Sequence, residues 1–261
     1  MAQGDLTTVG NVKLWLGITS STSDALLGRL ISAVSGLVRG YLSRPYLGST
    51  LVTERVNGHG RDTLTLRHGP VTKVVSIAYD GATVTTAATG NPPTGGYLID
   101  PMPDTVGRIT LTDDVFPRGR LNVQVTYWAG YQVAGETYTA AAAVQAASTW
   151  LTDAGVTYAN GTALTAVTGA PTAGQYAVSS GVYTFAAADY GATVLLTYGS
   201  PPADLEQAVV DLVGEAFKRP DRIGLITKTL GGQEVITFSQ KAMTAPPMLA
   251  LARFMRTSPV G

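Results

Sequence analysis

Ser200-Pro201-Pro202-Ala203-Asp204-Leu205 opens the stretch of sequence around which the rest of the chain is arranged. The apolar residues that follow it recur at helical spacing: Leu205, Ala208, Val209, Leu212, Val213, Ala216 and Phe217. This stripe predicts one amphipathic helix with a buried face. Prolines suit the first turn of a helix, where the N–H has no intrahelical partner, and Pro220 ends the helix.

The residues after Pro220 change character. They predict two short extended pieces around Gly231-Gly232 and then a short apolar helix over 246–256. Gly and Pro breaks prevent a separate core, yet the apolar side chains are too many for a solvated tail. The arm over 223–261 is therefore expected to be largely disordered in the free chain and to order on a partner. Its candidate docking residues are Ile223, Leu225, Ile226, Leu230, Val235, Ile236, Phe238, Met248, Leu249, Leu251, Phe254 and Met255.

The bulk composition excludes several classes of protein. Eighteen basic and eighteen acidic residues cancel, and only 14% of residues are charged, so strong sequence-independent DNA binding is not expected. The absence of cysteine excludes disulfides and thiol chemistry. No apolar run approaches the roughly 18 residues of a membrane span, so no membrane partner is expected.

Two helices are predicted at the N-terminal end. Thr7 or Thr8 caps the first, which ends near Gly17, with Val12, Trp15 and Leu16 on one face. The second spans 24–42 with an apolar stripe of Leu26, Leu27, Leu30, Ile31, Val34, Leu37, Val38, Tyr41 and Leu42. Its opposite face is small rather than charged: Gly28, Ser32, Ser35 and Gly36. Small residues let another backbone approach closely, either another helix of the same chain or a neighbouring subunit.

The middle of the chain alternates with a period of two, which predicts short antiparallel strands over 51–127 with a turn at Asp80-Gly81. An Ala-rich helix is predicted over 139–153. Hairpins follow at Asn160-Gly161 and over 176–185, and a last strand over 194–198. The predicted class is α+β: a helical bundle with a small antiparallel β-region, an inserted β-rich module and an extended C-terminal arm. The predicted divisions are 1–130 (core), 131–199 (inserted module), 200–222 (core helix) and 223–261 (arm).

Catalytic patterns are lacking in the sequence. His59 and His68 lie in turn-like loops without a third metal ligand at suitable spacing. No nucleophile elbow and no phosphate-binding loop occurs. The paired carboxylates Asp113-Asp114 leave a hydrolase as a rival interpretation, although a turn at a strand end accounts for them. We therefore expect no enzymatic activity, no metal and no cofactor.

An ordered series of motifs resembles the head–tail connector (adaptor) family of long-tailed bacteriophages. The series covers about three-quarters of the chain and consists of Leu6-Thr7-Thr8, Val12-Lys13-Leu14-Trp15-Leu16-Gly17-Ile18, the helix ending at Arg44-Pro45, Gly69-Pro70-Val71, Val125-Thr126-Tyr127-Trp128-Ala129-Gly130-Tyr131, Pro202-Ala203-Asp204-Leu205 and Arg219-Pro220-Asp221-Arg222-Ile223-Gly224. The chain departs from the family at 131–199, where members run from Ala-Gly-Tyr into the Pro helix within a few residues. This stretch bears a weaker resemblance to a small β-module of other phage virion proteins.

The resemblance implies a structural virion protein of the neck, assembled in the host cytoplasm. It implies a ring, usually of twelve subunits, whose C-terminal segment docks on the portal protein and whose other end receives a stopper or tail-completion protein. Genomic DNA would pass through the ring without sequence-specific binding. The alternative interpretation is a β-rich binding module that recognises a glycan or a host surface through 131–199.

Overall fold

A computed structural model describes residues 4–84, 95–99, 107–219, 227–230, 234–237 and 245–255. The chain divides into two compact units. The first, the helical unit, comprises Met1–Ser43 and Pro201–Met255. The described part of the second, the β unit, is 44–200. The mixed α+β class predicted from the sequence is confirmed, while its description as a bundle with an extended arm stays a prediction.

The described residues of the helical unit form four helices: α1 (Val9–Leu16), α2 (Asp24–Leu42), α3 (Ala203–Lys218) and α4 (Ala245–Ala252). Thr8 caps α1 by accepting a hydrogen bond from the Asn11 N–H, and Gly17 ends it in the left-handed conformation, as the sequence predicts. Helix α3 is packed by α1, α2 and α4. Its buried residues confirm most of the predicted stripe: Leu205, Ala208, Val209, Leu212 and Val213, with Val210 and Gly214 in addition.

Helix α2 departs from its predicted stripe. Leu27, Ile31, Val38 and Leu42 are buried, but Leu26 and Leu37 are exposed. Contact with α3 buries only one narrow side of α2, although apolar residues extend over a wider arc of the helix. By length and composition α2 could also cross a membrane, which the sequence interpretation did not expect.

The described strands of the β unit are β1 (Thr50–Gly58), β2 (Thr63–Leu66), β3 (Val71–Tyr79), β4 (Ala82–Val84), β5 (Tyr97–Ile99), β6 (Gly107–Leu111), β7 (Gly119–Ala129), β8 (Gln132–Thr139), β9 (Val144–Gln145), β10 (Thr152–Tyr158), β11 (Thr165–Ala166), β12 (Gln175–Ser179), β13 (Val182–Phe185) and β14 (Thr193–Gly199). They form four sheets in the orders β1-β7-β3-β4, β2-β6-β5, β10-β14-β8 and β11-β12-β13-β9. The predicted turn at Asp80-Gly81 is confirmed, since both residues have positive φ between the paired strands β3 and β4.

Two hydrophobic clusters fill the β unit. The first lies among the sheets of 52–129 and includes Ile77, Ile109, Phe116 and Tyr127. The second lies among those of 140–198 and includes Tyr183, Phe185, Leu196 and Tyr198. The first cluster ends at Ala129 and the second begins at Ala140, so the predicted start of the inserted module at 131 falls between them.

The predicted Ala-rich helix over 139–153 is wrong. The stretch instead holds the end of β8, the short strand β9 and the start of β10. Backbone donors that a helix would use internally go to other segments: the Ala140 N–H donates to Ala192 O and the Ala146 N–H to Gly181 O. Both alanines are buried in the second cluster. Tertiary pairing has overridden the helix propensity of alanine.

The C-terminal stretch contains a two-stranded hairpin of β15 (Thr227–Leu230) and β16 (Glu234–Thr237), followed by α4. The two predicted extended pieces and the predicted terminal helix are therefore confirmed. Helix α4 packs on α3 within the helical unit, while the expectation that the arm is largely disordered in the free chain stays a prediction.

Candidate interaction surfaces

The small-residue face of α2 is the first predicted surface. Gly28, Ser32 and Gly36 are partly or fully exposed, and a Cβ added at either glycine would meet no atom within 4 Å. Gly28 and Ser32, but not Gly36, line an open groove of about 640 Å³, together with Asp5, Asp24 and Arg29 among others. Three of the four predicted interface residues are therefore accessible to a partner.

Ser35, the fourth predicted interface residue, belongs to the interior instead. It is buried, and its Oγ accepts a hydrogen bond from the Leu6 N–H at 3.0 Å. One turn earlier, Ser32 Oγ donates to Asp5 Oδ1 at 2.9 Å. The hydroxyls of α2 thus hold the N-terminal segment, and Ser35 is not available to a neighbouring subunit.

Carboxylates anchor the N-terminal segment as well. Glu206 Oε1 on α3 accepts from Thr7 Oγ1 at 3.0 Å and from Asn11 Nδ2 at 2.7 Å. Burial lowers the pKa of the Arg39 guanidinium, and the charge of Asp5 partly opposes that shift. One wall of the groove is therefore fixed in place by polar contacts within the helical unit.

Exposed apolar side chains lie on α1 and α2 where the sequence analysis did not expect them. Leu14 is 85% exposed, and Trp15, Leu26 and Leu37 are also exposed. Trp15 was expected to share one face with Val12, but Val12 is fully buried and Trp15 is 59% exposed. Exposed apolar side chains of this size make the two helices a candidate surface for a partner. The sequence contains one signal for this exposure: the apolar residues of α2 extend further around the helix than contact with one other helix requires.

The predicted docking residues of the arm divide into separate groups. Leu249 is 78% exposed, and Met248 and Met255 are exposed too, whereas Leu251 and Phe254 are buried at 0% and 4% exposure. The last two are buried in the helical unit of their own chain, and docking through them stays a prediction. Leu230, Val235 and Ile236 lie in the hairpin, for which only the backbone is described; Ile223, Leu225, Ile226 and Phe238 lie outside the described residues.

Asp113 and Asp114 act as acceptors for loop groups. Asp114 accepts from the Val115 N–H at 2.7 Å and from Tyr79 Oη at 2.9 Å, and these contacts lower the pKa of its carboxyl. Asp113 accepts from the Gly95 N–H. Nothing in this geometry favours a hydrolase, and within the described ranges no three His, Asp or Glu side chains are grouped to hold a metal.

The predicted module 131–199 contains no Lys, Arg or His, and its three acidic residues are Glu136, Asp153 and Asp189. Each carboxylate accepts a hydrogen bond from at least one tyrosine: Tyr138 and Tyr198 at Glu136, Tyr176 and Tyr183 at Asp153, and Tyr158 at Asp189. Burial and hydrogen bonding to Glu136 raise the pKa of Tyr138. The module therefore offers no cation to phosphates or to an anionic glycan.

An open groove of about 490 Å³ lies on the module beside β11 and β12, lined by Ala166, Val167, Thr168, Ala177, Val178, Ser179 and Thr184. None of these residues is aromatic. Sugar rings are commonly held by stacking on aromatic side chains, whose apolar faces suit them. The groove thus gives no support to the glycan-binding alternative.

The fold and its surfaces define a mixed α+β protein whose helical unit exposes an apolar surface suited to assembly. The family model of the head completion protein matches residues 5–168, well over half of the chain. The chain belongs to the head completion protein family. The resemblance to bacteriophage head–tail connector proteins is thereby confirmed, and the family is one of structural virion proteins.

No curated protein sequence matches the chain. Among solved structures, a chain from the virion of the native gene transfer agent (GTA) particle aligns at a TM-score of 0.43 and 14% identity, over 100% of this chain and 95% of that one. A chain from the neck of the native GTA particle computed with C12 symmetry aligns at 0.43 and 13%, over 100% and 94%. A chain from the neck of the empty particle, computed with C6 symmetry, aligns at 0.39 and 13%, over 100% and 95%. These scores are too low to support an argument from shared structure.

Proposed function

We propose that this chain is a structural protein of the virion neck, the subunit of an adaptor ring between the portal protein and the tail-side stopper. Twelve copies form the ring, DNA passes through its channel, and the protein catalyses no reaction. The exposed large apolar side chains of α1 and α2 carry this proposal, because exposed apolar patches commonly mark the surfaces where proteins contact a partner. Membership of the head completion family supports the same function.

Contact between subunits is proposed to run through the groove on α2. Gly28 and Gly36 leave space for a side chain or backbone of the next subunit, while the exposed Leu26 and Leu37 lie on another side of the same helix. A neighbouring subunit packed on α2 would bury exposed apolar surface, and each Å² of apolar surface buried would stabilise the contact by about 25 cal/mol. The neutral charge of the whole chain favours such association, since like-charge repulsion between copies is small.

Substituting Gly36→Leu tests the subunit contact. The site is open in the single chain, so the monomer should fold, while the closed seam should lose about 1–3 kcal/mol per contact through overpacking. Gly169→Leu is the matched control, because Gly169 is also exposed and open but lies in the module. Ring formation is measured by electron microscopy and light scattering. Normal rings from Gly36→Leu would place the seam elsewhere, and a chain that forms no ring at any concentration would remove the adaptor proposal.

Docking on the portal is proposed to use the exposed side of α4. Leu249 presents most of its surface, and Met248 on α4 and Met255 just after it are exposed too. Several arms presented by one ring would bind together through effective concentration, even if a single contact is weak. We expect Leu249→Asp to fold normally and to lose binding to portal-bearing heads. Leu51→Asp, at an exposed leucine on β1 of the β unit, is the control, and equal loss from both variants would contradict docking through α4.

A further inference from the structure

Three chain segments, 47–49, 130–132 and 199–200, cross within the β unit between its two hydrophobic clusters. Each segment contributes one glycine to the crossing: Gly48, Gly130 and Gly199. We call these residues and their hydrogen-bonded neighbours the three-glycine junction. It is the place where the module 131–199 meets the β-region of 52–129.

The backbones at this junction are too close for any side chain. A Cβ at Gly130 would overlap the carbonyl oxygen of Gly48, and Gly130 also has a φ of +110°. A Cβ at Gly199 would lie 2.6 Å from the Ser49 nitrogen, and one at Gly48 would lie 2.6 Å from Leu151 Cβ. Side chains are not found at such distances from other atoms, so the contact requires glycine at each of the three positions.

Backbone N–H and C=O groups at the junction form hydrogen bonds from one segment to another. The Tyr131 carbonyl accepts from the Ser49 N–H at 3.0 Å and from the Ser200 N–H at 3.3 Å, and the Tyr131 N–H donates to Leu47 O at 2.9 Å. The Leu151 N–H donates to Gly199 O at 2.8 Å. Ser49 is fully buried, so breaking these bonds would leave polar groups without water.

Side chains add a further set of bonds around the same point. Thr152 Oγ1 donates to Ser49 O at 2.5 Å, and Ser49 Oγ donates to Gln132 Oε1 at 3.0 Å. The Gly130 N–H donates to Pro70 O at 2.9 Å, which ties the crossing to the residue before β3. The bonds therefore reach from the module into the sheet of the β-region.

We propose that the three-glycine junction is a rigid coupling that fixes the orientation of the module relative to the β-region. Glycines between two folded regions usually suggest a hinge, because a hinge must absorb φ and ψ changes. Here the glycines serve close contact, and the peptide groups around them are bonded across segments. A partner that displaces the module therefore moves the β1-β7-β3-β4 sheet with it.

The coupling can be measured as a distance distribution by electron–electron double resonance. The chain has no cysteine, so Lys73→Cys on β3 and Thr168→Cys on the module, both exposed, provide the only two labelling sites. Labelled chains are diluted with unlabelled ones so that copies in an assembly do not contribute. We expect one narrow distribution. A broad or multiple distribution in this parent protein would overturn the proposal without any further variant.

Matched glycine pairs then locate the coupling. Gly130→Ala should broaden the distribution, whereas Gly155→Ala should not, because Gly155 has a similar φ of +119° but open space around it. Gly199→Ala is paired in the same way with Gly169→Ala, which is also open. If the junction variants fail to fold, Thr152→Val removes one bond between the segments and keeps the side-chain shape. Equal widths in junction and control variants, with Thr152→Val also unchanged, would overturn the proposal.

Discussion

Phe254→Ala tests whether the end of the chain belongs to the folded helical unit or to a partner. Phe254 follows α4, is 4% exposed, and donates its N–H to Leu251 O at 2.9 Å. The Arg253 guanidinium lies 5.4 Å from the centre of its ring, and the same Arg253 pairs with Asp204 of α3 at 2.6 Å. Phe254 is thus a buried side chain at the end of a helix that packs on α3.

The expected loss of stability follows from this burial. Truncating a buried Phe to Ala costs about 3–5 kcal/mol through lost transfer free energy and the cavity left behind. A helix at a chain end can settle into part of the space, so we expect about 3 kcal/mol. Leu249→Ala on the same helix should change the free energy of unfolding by no more than about 0.5 kcal/mol, since Leu249 is 78% exposed.

Urea unfolding followed by far-ultraviolet circular dichroism measures both variants, and hydrogen exchange of the α4 amides locates the effect. We expect an earlier unfolding transition and faster exchange in α4 for Phe254→Ala alone. An unchanged transition for Phe254→Ala, together with lost partner binding, would show that Phe254 serves docking and that its burial does not stabilise the isolated chain.

Three further outcomes are expected from the polar contacts. Glu206→Ala should raise hydrogen exchange throughout α1 and cost about 1–3 kcal/mol by removing a charged acceptor, whereas Asp211→Ala should leave α1 unchanged. Asp153→Asn should lower the midpoint of thermal unfolding followed by the tyrosine near-ultraviolet signal, because Tyr176 and Tyr183 donate to different carboxylate oxygens and an amide keeps only one oxygen; an unchanged midpoint would contradict the role of this carboxylate. Burial first, and then Asp153, raise the pKa of both tyrosines above the unfolded value of about 10. Their contribution to stability is therefore complete below pH ~10 and lost as pH rises toward the folded values, which tyrosinate absorbance and alkaline unfolding of Tyr176→Phe would show.

Local patterns in the sequence predicted many of the elements. Thr8 and Gly17 bound α1, and the stripe from Leu205 to Val213 forms the buried side of α3. Asp80-Gly81 connects β3 to β4, and the hairpin over 176–185 forms between β12 and β13. These signals are local, because caps, turns and periodicity depend on residues a few positions apart.

The candidate surfaces were predictable only in part. Gly28, Ser32 and Gly36 are accessible, as the small face of α2 indicated, but Ser35 holds the Leu6 N–H in the interior. Spacing along a helix places residues on a face, and it does not say which segment covers part of that face. The exposure of Leu14 could not be predicted either, because periodicity alone cannot distinguish a core face from a partner face.

The sequence by itself determined the local elements, the neutral charge, the absence of thiol chemistry and the family resemblance, since each is present in residue identity and short-range order. Only the tertiary structure decided which apolar side chains are buried, since burial depends on segments far apart in the chain. It turned the Ala-rich stretch into strands, because the N–H groups of Ala140 and Ala146 pair with distant carbonyls. It also brought Gly48, Gly130 and Gly199 together across more than 150 residues, a contact that no local pattern encodes.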